Sequence, residues 1–333
     1  MNGDDRHDQD QRRATVQAPG KDTLEDRHRP PDYPPRIPLG SRAGPGRSDP
    51  PVRLLRAANP SPLTGTGTNT WLVGGSGLAV IDPGPDDPAH LAAILAAPGP
   101  GQRIDRIIVT HAHRDHSALA PRLAAATGAP IVAFGGALDG RSPLMTRLAG
   151  SLPDGGEGLD LAFTPDQHLA DGDTLTGPDW SLTAVHTPGH LGGHLCLALG
   201  DTLFSGDHVM GWSTSIVSPP DGDMGAYMAS LHRLAARNWQ RFLPGHGEPV
   251  DDPAGRMAYL IAHRHQREAQ ILGALTGAPW HIPALTARIY HDIPPPLLRA
   301  AERNVFAHLI DLASRNLVVA DPTLHPDALF SRA

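Results

Sequence analysis

A single cysteine in 333 residues, Cys196, rules out an intramolecular disulfide framework and any cysteine-built zinc finger. A single lysine, Lys21, leaves arginine to supply nearly all the positive charge. No apolar run approaches the roughly 20 residues that cross a membrane. The opening Met1-Asn2-Gly3-Asp4-Asp5 lacks the basic and apolar regions of a secretory signal, so a cytoplasmic protein is expected. A formal charge of −7 argues against a general nucleic-acid coat protein. What the chain does have is 40% apolar residues, enough for a large core, and 19 histidines. Any metal site here must be built from imidazole and carboxylate.

The charge is unevenly spread. Residues 1–50 carry nine acidic and nine basic side chains among many prolines, with almost no apolar periodicity, and read as a disordered or loosely docked leader. Residues 51–255 hold eleven basic against twenty acidic side chains, a charge of −9, whereas the remainder carries +2. An acidic front and a mildly basic back predict two units, 51–252 and 253–333.

The front alternates short strands (70–73, 78–81, 104–109, 181–186) with helices (89–95, 119–126), the pattern of an α/β domain. From Pro253 the pattern turns helical. One helix is predicted over 254–275, and another follows Pro294-Pro295-Pro296, where Leu298, Ala301, Val305, Leu309 and Leu312 recur at helical spacing. A short strand over 317–319 would follow.

One segment carries the chemistry. A β-branched run, Ile107-Ile108-Val109, leads into Thr110-His111-Ala112-His113-Arg114-Asp115-His116, four ligand-type residues in six positions on an expected strand-to-helix loop. Imidazole and carboxylate are suitable zinc ligands, and loops at the carboxyl ends of strands are where α/β sheets present binding groups. Three later segments repeat the arrangement of a strand-like stretch, a glycine turn and a ligand-capable residue: Pro188-Gly189-His190, Ser205-Gly206-Asp207 and Pro244-Gly245-His246.

With these residues in place the sequence resembles the metallo-β-lactamase fold superfamily over about residues 52–250, including its HxHxDH motif. The resemblance implies a four-layer αβ/βα sandwich. It also implies one metal held by His111, His113 and His190, a second held by Asp115, His116 and His246, and Asp207 bridging them. Asn59-Pro60-Ser61, Gly67-Thr68-Asn69-Thr70 and Ala262-His263-Arg264-His265-Gln266-Arg267-Glu268 are similar to the β-lactamase-like protein 2 branch, which implies a mostly helical, winged-helix-like C-terminal domain. One animal member of that branch is a single-strand-specific endoribonuclease; its bacterial relatives are mostly assigned only as hydrolases.

The expected enzyme is therefore a dinuclear metal-dependent hydrolase. Two divalent ions, zinc first with manganese or iron as alternatives, would share a bridging hydroxide that attacks a small ester, thioester or similar acyl substrate. Asp115 is the candidate catalytic residue, orienting that hydroxide. A −9 surface would repel a phosphate backbone, so single-stranded RNA cleavage at the same site is the alternative rather than the preferred reading. A mononuclear iron persulfide dioxygenase is a further alternative. The histidine at 113, where flavodiiron proteins carry glutamate, argues against that redox branch, and the intact ligand set argues against a non-enzymatic regulator. Classical β-lactamases are typically exported, which this chain is not expected to be. Cys196, within Leu195-Cys196-Leu197-Ala198, reads as a packed core thiol. His194, four residues after His190, is a candidate supporting donor. Trp212 and His263 are candidates for the substrate cleft, the first on the loop after Asp207 and the second on the long C-terminal helix. No membrane partner is expected.

Overall fold

The computed structural model describes residues 50–152, 158–291 and 294–333. The leader expected over residues 1–50 lies, apart from Pro50, outside the described residues.

The first of two central sheets contains, side by side in chain order, β1 (Val52–Arg56), β2 (Asn69–Val73), β3 (Gly77–Ile81), β4 (Arg103–Ile108), β5 (Ile131–Ala133) and β6 (Gln167–His168). Pairing is antiparallel from β1 to β3 and parallel from β3 to β6. The parallel steps require crossovers, and the first two carry α1 (Pro88–Ala96) and then the one-turn α2 (Arg114–Ser117) with α3 (Ala120–Thr127). The short α4 (Pro143–Ala149) follows β5. The second sheet contains β7 (Thr174–Thr176), β8 (Ser181–His186), β9 (Leu195–Leu199), β10 (Thr202–Gly206) and β11 (Arg241–Pro244), ordered β11-β10-β9-β8-β7. Its parallel step, β10 to β11, is bridged by α5 (Met224–Ala235). Then come α6 (Pro253–Ala274), α7 (Ile282–Ile289), α8 (Leu298–Ser314) and a hairpin of β12 (Val318–Asp321) and β13 (Leu329–Arg332).

Strand alternation builds the layers. On β2, β3 and β4, Trp71, Val73, Ala79, Ile81 and Ile108 meet Leu182, Ala184, Leu195, Leu197 and Phe204 of the second sheet, forming the inner core. Their neighbours Leu72, Val80 and Ile107 face outward onto Ile94 of α1 and Leu123 of α3. On the far side Cys196, Ala198, Leu203 and Phe242 face Tyr227, Leu231 and Leu234 of α5 and Met257 and Leu260 of α6. The result is the expected four-layer α/β/β/α sandwich. Each fully buried Leu, Ile or Phe contributes about 1.5–3 kcal/mol over its exposed state. Cys196 is buried with its thiol pushed up to about 12, primarily by burial, and is a core residue as expected.

A separate apolar cluster joins Ile271 and Leu275 at the end of α6 to Leu285 of α7, Val305, Leu309 and Leu312 of α8, and Phe330 of β13. Helices α7 and α8 with the β12–β13 hairpin make up the winged-helix part of the fold. Asp252 starts α6 by accepting the Gly255 N–H at 2.9 Å, with Pro253 in the first turn, where its missing N–H costs nothing. The predicted long helix, the helix after the proline run and the strand near 318 are all present within two residues of their expected bounds. Among the described residues no helix is long and apolar enough to cross a membrane.

Candidate metal centre

Four strands deliver the predicted donors to one edge of the sandwich, and a fifth, β3, adds Asp82 beside them. Asp82 follows β3, His111 to His116 follow β4, His190 follows β8, Asp207 follows β10 and His246 follows β11. One local expectation is corrected. Asp115 and His116 lie not on an open loop but in α2, with His113 at its N-cap. A single helical turn sends residues 113, 115 and 116 in different directions, which an extended loop would not do reproducibly.

The seven expected donors converge. His111 Nε2 lies 3.0 Å and His190 Nε2 3.1 Å from His113 Nδ1. His116 Nε2 and His246 Nε2 are 3.2 Å apart, and Asp115 Oδ2 is 3.2 Å from the second and 3.5 Å from the first. Asp207 touches both groups, with Oδ1 3.5 Å from His116, and Oδ2 3.4 Å from His246 and 3.8 Å from His190. Donor atoms of three such sets fall within 4.8 Å of one another: His111, His113, His190; His111, His116, Asp207; and Asp115, His116, His246.

The outward ring nitrogens settle which atoms face inward. A carbonyl or carboxylate can only accept, so the nitrogen against it carries the proton. His190 Nδ1 donates to the Ile216 carbonyl at 2.7 Å and His246 Nδ1 to the Gly67 carbonyl at 3.2 Å. His116 Nδ1 donates to Asp82 Oδ2 at 3.0 Å. The Thr110 hydroxyl donates to the same Asp82 oxygen at 2.8 Å, leaving it to accept from His111 Nδ1 at 3.0 Å. Four imidazoles thus aim Nε2 lone pairs at a common space. Lone pairs about 3 Å apart repel unless a proton or cation lies among them. Asp207 Oδ1 is buried there without a hydrogen-bond partner. Imidazole with carboxylate is also the donor chemistry that divalent zinc, manganese or iron accepts. The residues present therefore fit a metal centre.

Electrostatics divides the site. Burial, reinforced by neighbouring imidazoles, holds His113 down to about 3 and His111 well below its usual range; burial also lowers His190. For His116 and His246 burial pulls the same way, but carboxylates overcome it. Asp115, Asp207 and Asp82 hold His116 well above the ordinary imidazole range, and Asp207 and Asp115 raise His246 to about 9. Asp115 and Asp207 are themselves held below the usual carboxylate range, because the imidazoles of His116 and His246 outweigh the burial that would raise them.

Close packing makes two glycines obligatory. A Cβ on Gly245 would stand 2.5 Å from Asp207 Oδ1 and 2.7 Å from His116 Cε1. One on Gly206 would stand 2.6 Å from His194 Nε2, in a backbone with φ +49° that itself favours glycine.

His194 is buried against the donors without joining them: Nε2 accepts the Asp207 N–H at 3.2 Å while Nδ1 faces the Thr187 hydroxyl at 2.9 Å. Trp212 is 36% exposed and packs on Gly65 and Gly247, where added Cβ atoms would meet its ring at 3.2 and 2.4 Å, so it walls the His246 turn. His263 lies on α6 against Tyr259, ring centroids 6.1 Å apart, and no hydrogen bond or ring contact joins it to the seven donors. Sequence reasoning missed Asp82 and Thr110. Asp82 also accepts the Thr110 N–H at 2.8 Å and adopts φ +52°, a strained conformation of the kind that clusters at functional sites. The one available signal was a carboxylate directly after the buried strand ending at Ile81. The Gly67-Thr68-Asn69 segment has a physical task. Asn69 Nδ2 donates to the carbonyls of Pro244 and Gly247, at 3.0 and 2.7 Å, and so fixes the turn bearing His246.

This fold and site define a class, and comparison agrees with it. Residues 63–246 match the metallo-beta-lactamase superfamily and residues 282–324 match the beta-lactamase associated winged helix domain. The chain belongs to the metallo-β-lactamase superfamily and is a metal-dependent hydrolase of that group. More particularly, it is 34% identical over 275 residues to the Beta-lactamase-like protein 2 homolog of Drosophila melanogaster, covering 78% of this chain and 87% of that protein. It is 31% identical over 232 residues to an atrochrysone carboxyl ACP thioesterase of Cryptosporiopsis sp., covering 67% of this chain and 62% of that enzyme. A metallo-beta-lactamase family protein of Thermus thermophilus shares the fold with a TM-score of 0.68 at 23% identity, over 85% of this chain and 98% of that one. A beta-lactamase domain protein of Burkholderia ambifaria does so with a TM-score of 0.69 at 22% identity, over 85% and 91%.

Proposed function

We propose that this chain is a dinuclear metal-dependent hydrolase of small acyl esters or thioesters, with zinc as the preferred ion. The observation that carries the reading is the convergence of seven donors, four of them imidazoles whose tautomers are fixed from outside the site. In it His111, His113 and His190 would hold one ion, Asp115, His116 and His246 would hold the second, and Asp207 would serve both. When bound, the ions supply an activated water and polarise the substrate oxygen.

The protein's own contribution is positional. The fixed imidazoles present their lone pairs without reorganisation, and Asp115, 27% exposed at its side chain, is the carboxylate placed to orient an attacking water and take up its proton. A cleft of about 550 Å³ opens onto Asp115 and is lined by Pro85, Asp86, Arg114, Ala118, Asp160 and Phe163, so apolar walls stand beside a mostly acidic set of polar groups. Thioesterase relatives and the acidic surface of residues 51–255 favour an acyl substrate over a polyanion.

Metal-replete protein assayed on a panel of acyl thioesters and on single-stranded RNA tests the proposal. Thioester hydrolysis lost in Asp115→Asn supports it. RNA cleavage with steep salt dependence and no thioesterase activity replaces it with the nuclease reading. One iron per chain in place of two divalent ions replaces it with mononuclear oxygen chemistry.

A further inference from the structure

Burying an arginine is costly unless its charge and its donors are answered. Arg264 of α6 is 2% exposed, and among the described residues no carboxylate pairs with it. Its guanidinium instead donates to the Ser215 carbonyl and, at 3.2 Å, to Asn304 Oδ1 of α8, and it lies 5.0 Å over the Tyr227 ring. Asn304 Oδ1 also accepts the Val217 N–H at 3.2 Å, while its Nδ2 donates to the Ala300 carbonyl one turn back, which fixes the orientation of the amide. Between Ser215 and Val217 stands Ile216, whose carbonyl receives the His190 Nδ1 proton at 2.7 Å. The same loop is fastened upstream by Arg256, which donates to the Met210 and Ser213 carbonyls at 2.7 and 2.6 Å.

From this chain of contacts we infer that Arg264 and Asn304 are positioning residues for His190. Two side chains on C-terminal helices grip the residues on either side of Ile216, and the carbonyl held between them fixes His190 with Nε2 facing His113. The two terminal nitrogens of the buried cation thus serve the loop and the side chain that shares the loop with it, while Nε has no hydrogen-bond partner among the described residues. The inference rests on the proposal above that His190 holds a metal ion.

Zn²⁺ titration of the metal-free full-length protein, in competition with a chromophoric chelator and well below its melting temperature, tests it. Asn304→Leu removes the shared acceptor and should weaken one of two Zn²⁺ equivalents roughly tenfold, the low end for loss of a group that orients a ligand. Asn304→Asp keeps an oxygen for both Val217 and Arg264 and should recover most of that loss, which a general packing defect would not. If Asn304→Leu does not fold, Asn304→Ser, too short to reach either partner, is read the same way. Unchanged Zn²⁺ affinity in the folded variant, with His190→Ala strongly impaired, overturns the positioning role alone. Unchanged affinity in His190→Ala as well overturns the metal assignment of His190 and this inference with it.

Discussion

Two populations of buried histidine occupy this molecule. His111, His116, His190 and His246 have their outward nitrogens held by a hydroxyl, a carboxylate or a backbone carbonyl, and their inward nitrogens meet each other or His113 Nδ1. His208, His263 and His308 are also wholly or partly buried, yet each leaves at least one ring nitrogen with no hydrogen-bond partner, and none joins a converging set. Burial lowers the second population, His208 to about 3, His263 to about 4 and His308 well below the usual range, with Arg264 adding to each. Burial therefore does not distinguish a candidate ligand from a packed ring. The distinction is whether something outside fixes the tautomer while something inside shares the lone pair.

The sharpest way to break this comparison is to remove the carboxylate common to the first population. Asp207→Ala should lower kcat/KM on the order of a thousandfold, since several kcal/mol of charge stabilisation would depend on the ions it is proposed to hold. Circular dichroism should show the fold retained, and near-normal turnover in a folded variant would defeat the dinuclear reading. Next comes the outer support. Asp82→Asn leaves the seven donors untouched but weakens the acceptor shared by Thr110 and His116, and metal affinity should fall roughly 10–100-fold. Equilibrium dialysis that finds it unchanged would show that external fixation of the tautomers is dispensable.

The smallest effect belongs to the second population. Because burial keeps His308 neutral in the folded state while the unfolded chain takes up a proton below about pH 6.5, its contribution is present above that pH and is lost as pH falls through the acid range. His308→Gln should flatten the decline in the melting temperature of metal-free protein between pH 7 and pH 5. An identical slope in both proteins would place the acid sensitivity elsewhere.

The first population was largely legible in the sequence because its signals are local. Three histidines and an aspartate lie within six residues, and His190, Asp207 and His246 each stand directly after a glycine at or just past a strand's end. Turn chemistry of that kind survives without knowledge of the tertiary fold. Asp82 was not legible, since its partners Thr110 and His116 lie 28 and 34 residues away and Asp-Pro-Gly reads as an ordinary turn. The four layers came through resemblance more than through periodicity. Strands buried on both faces, such as those of Val73 and Ile81, show no alternation that tells one layer from the other. Helix α7 escaped notice because it is two turns long with Pro283 in the first of them. Arg264 and Asn304 could be placed on helices, but nothing in their spacing shows that they meet over one backbone loop.

Helix α6 belongs to two interiors at once. Met257 and Leu260 near its start seal the outer face of the second sheet, while Ile271 near its end is part of the winged-helix core. Cutting the chain after Asp252 would thus not detach a passive appendage: it would strip apolar cover from the sheet that carries Asp207 and His246. Seen mechanically, α6 is a shared beam, and a force on the winged helix would be carried directly to the second sheet.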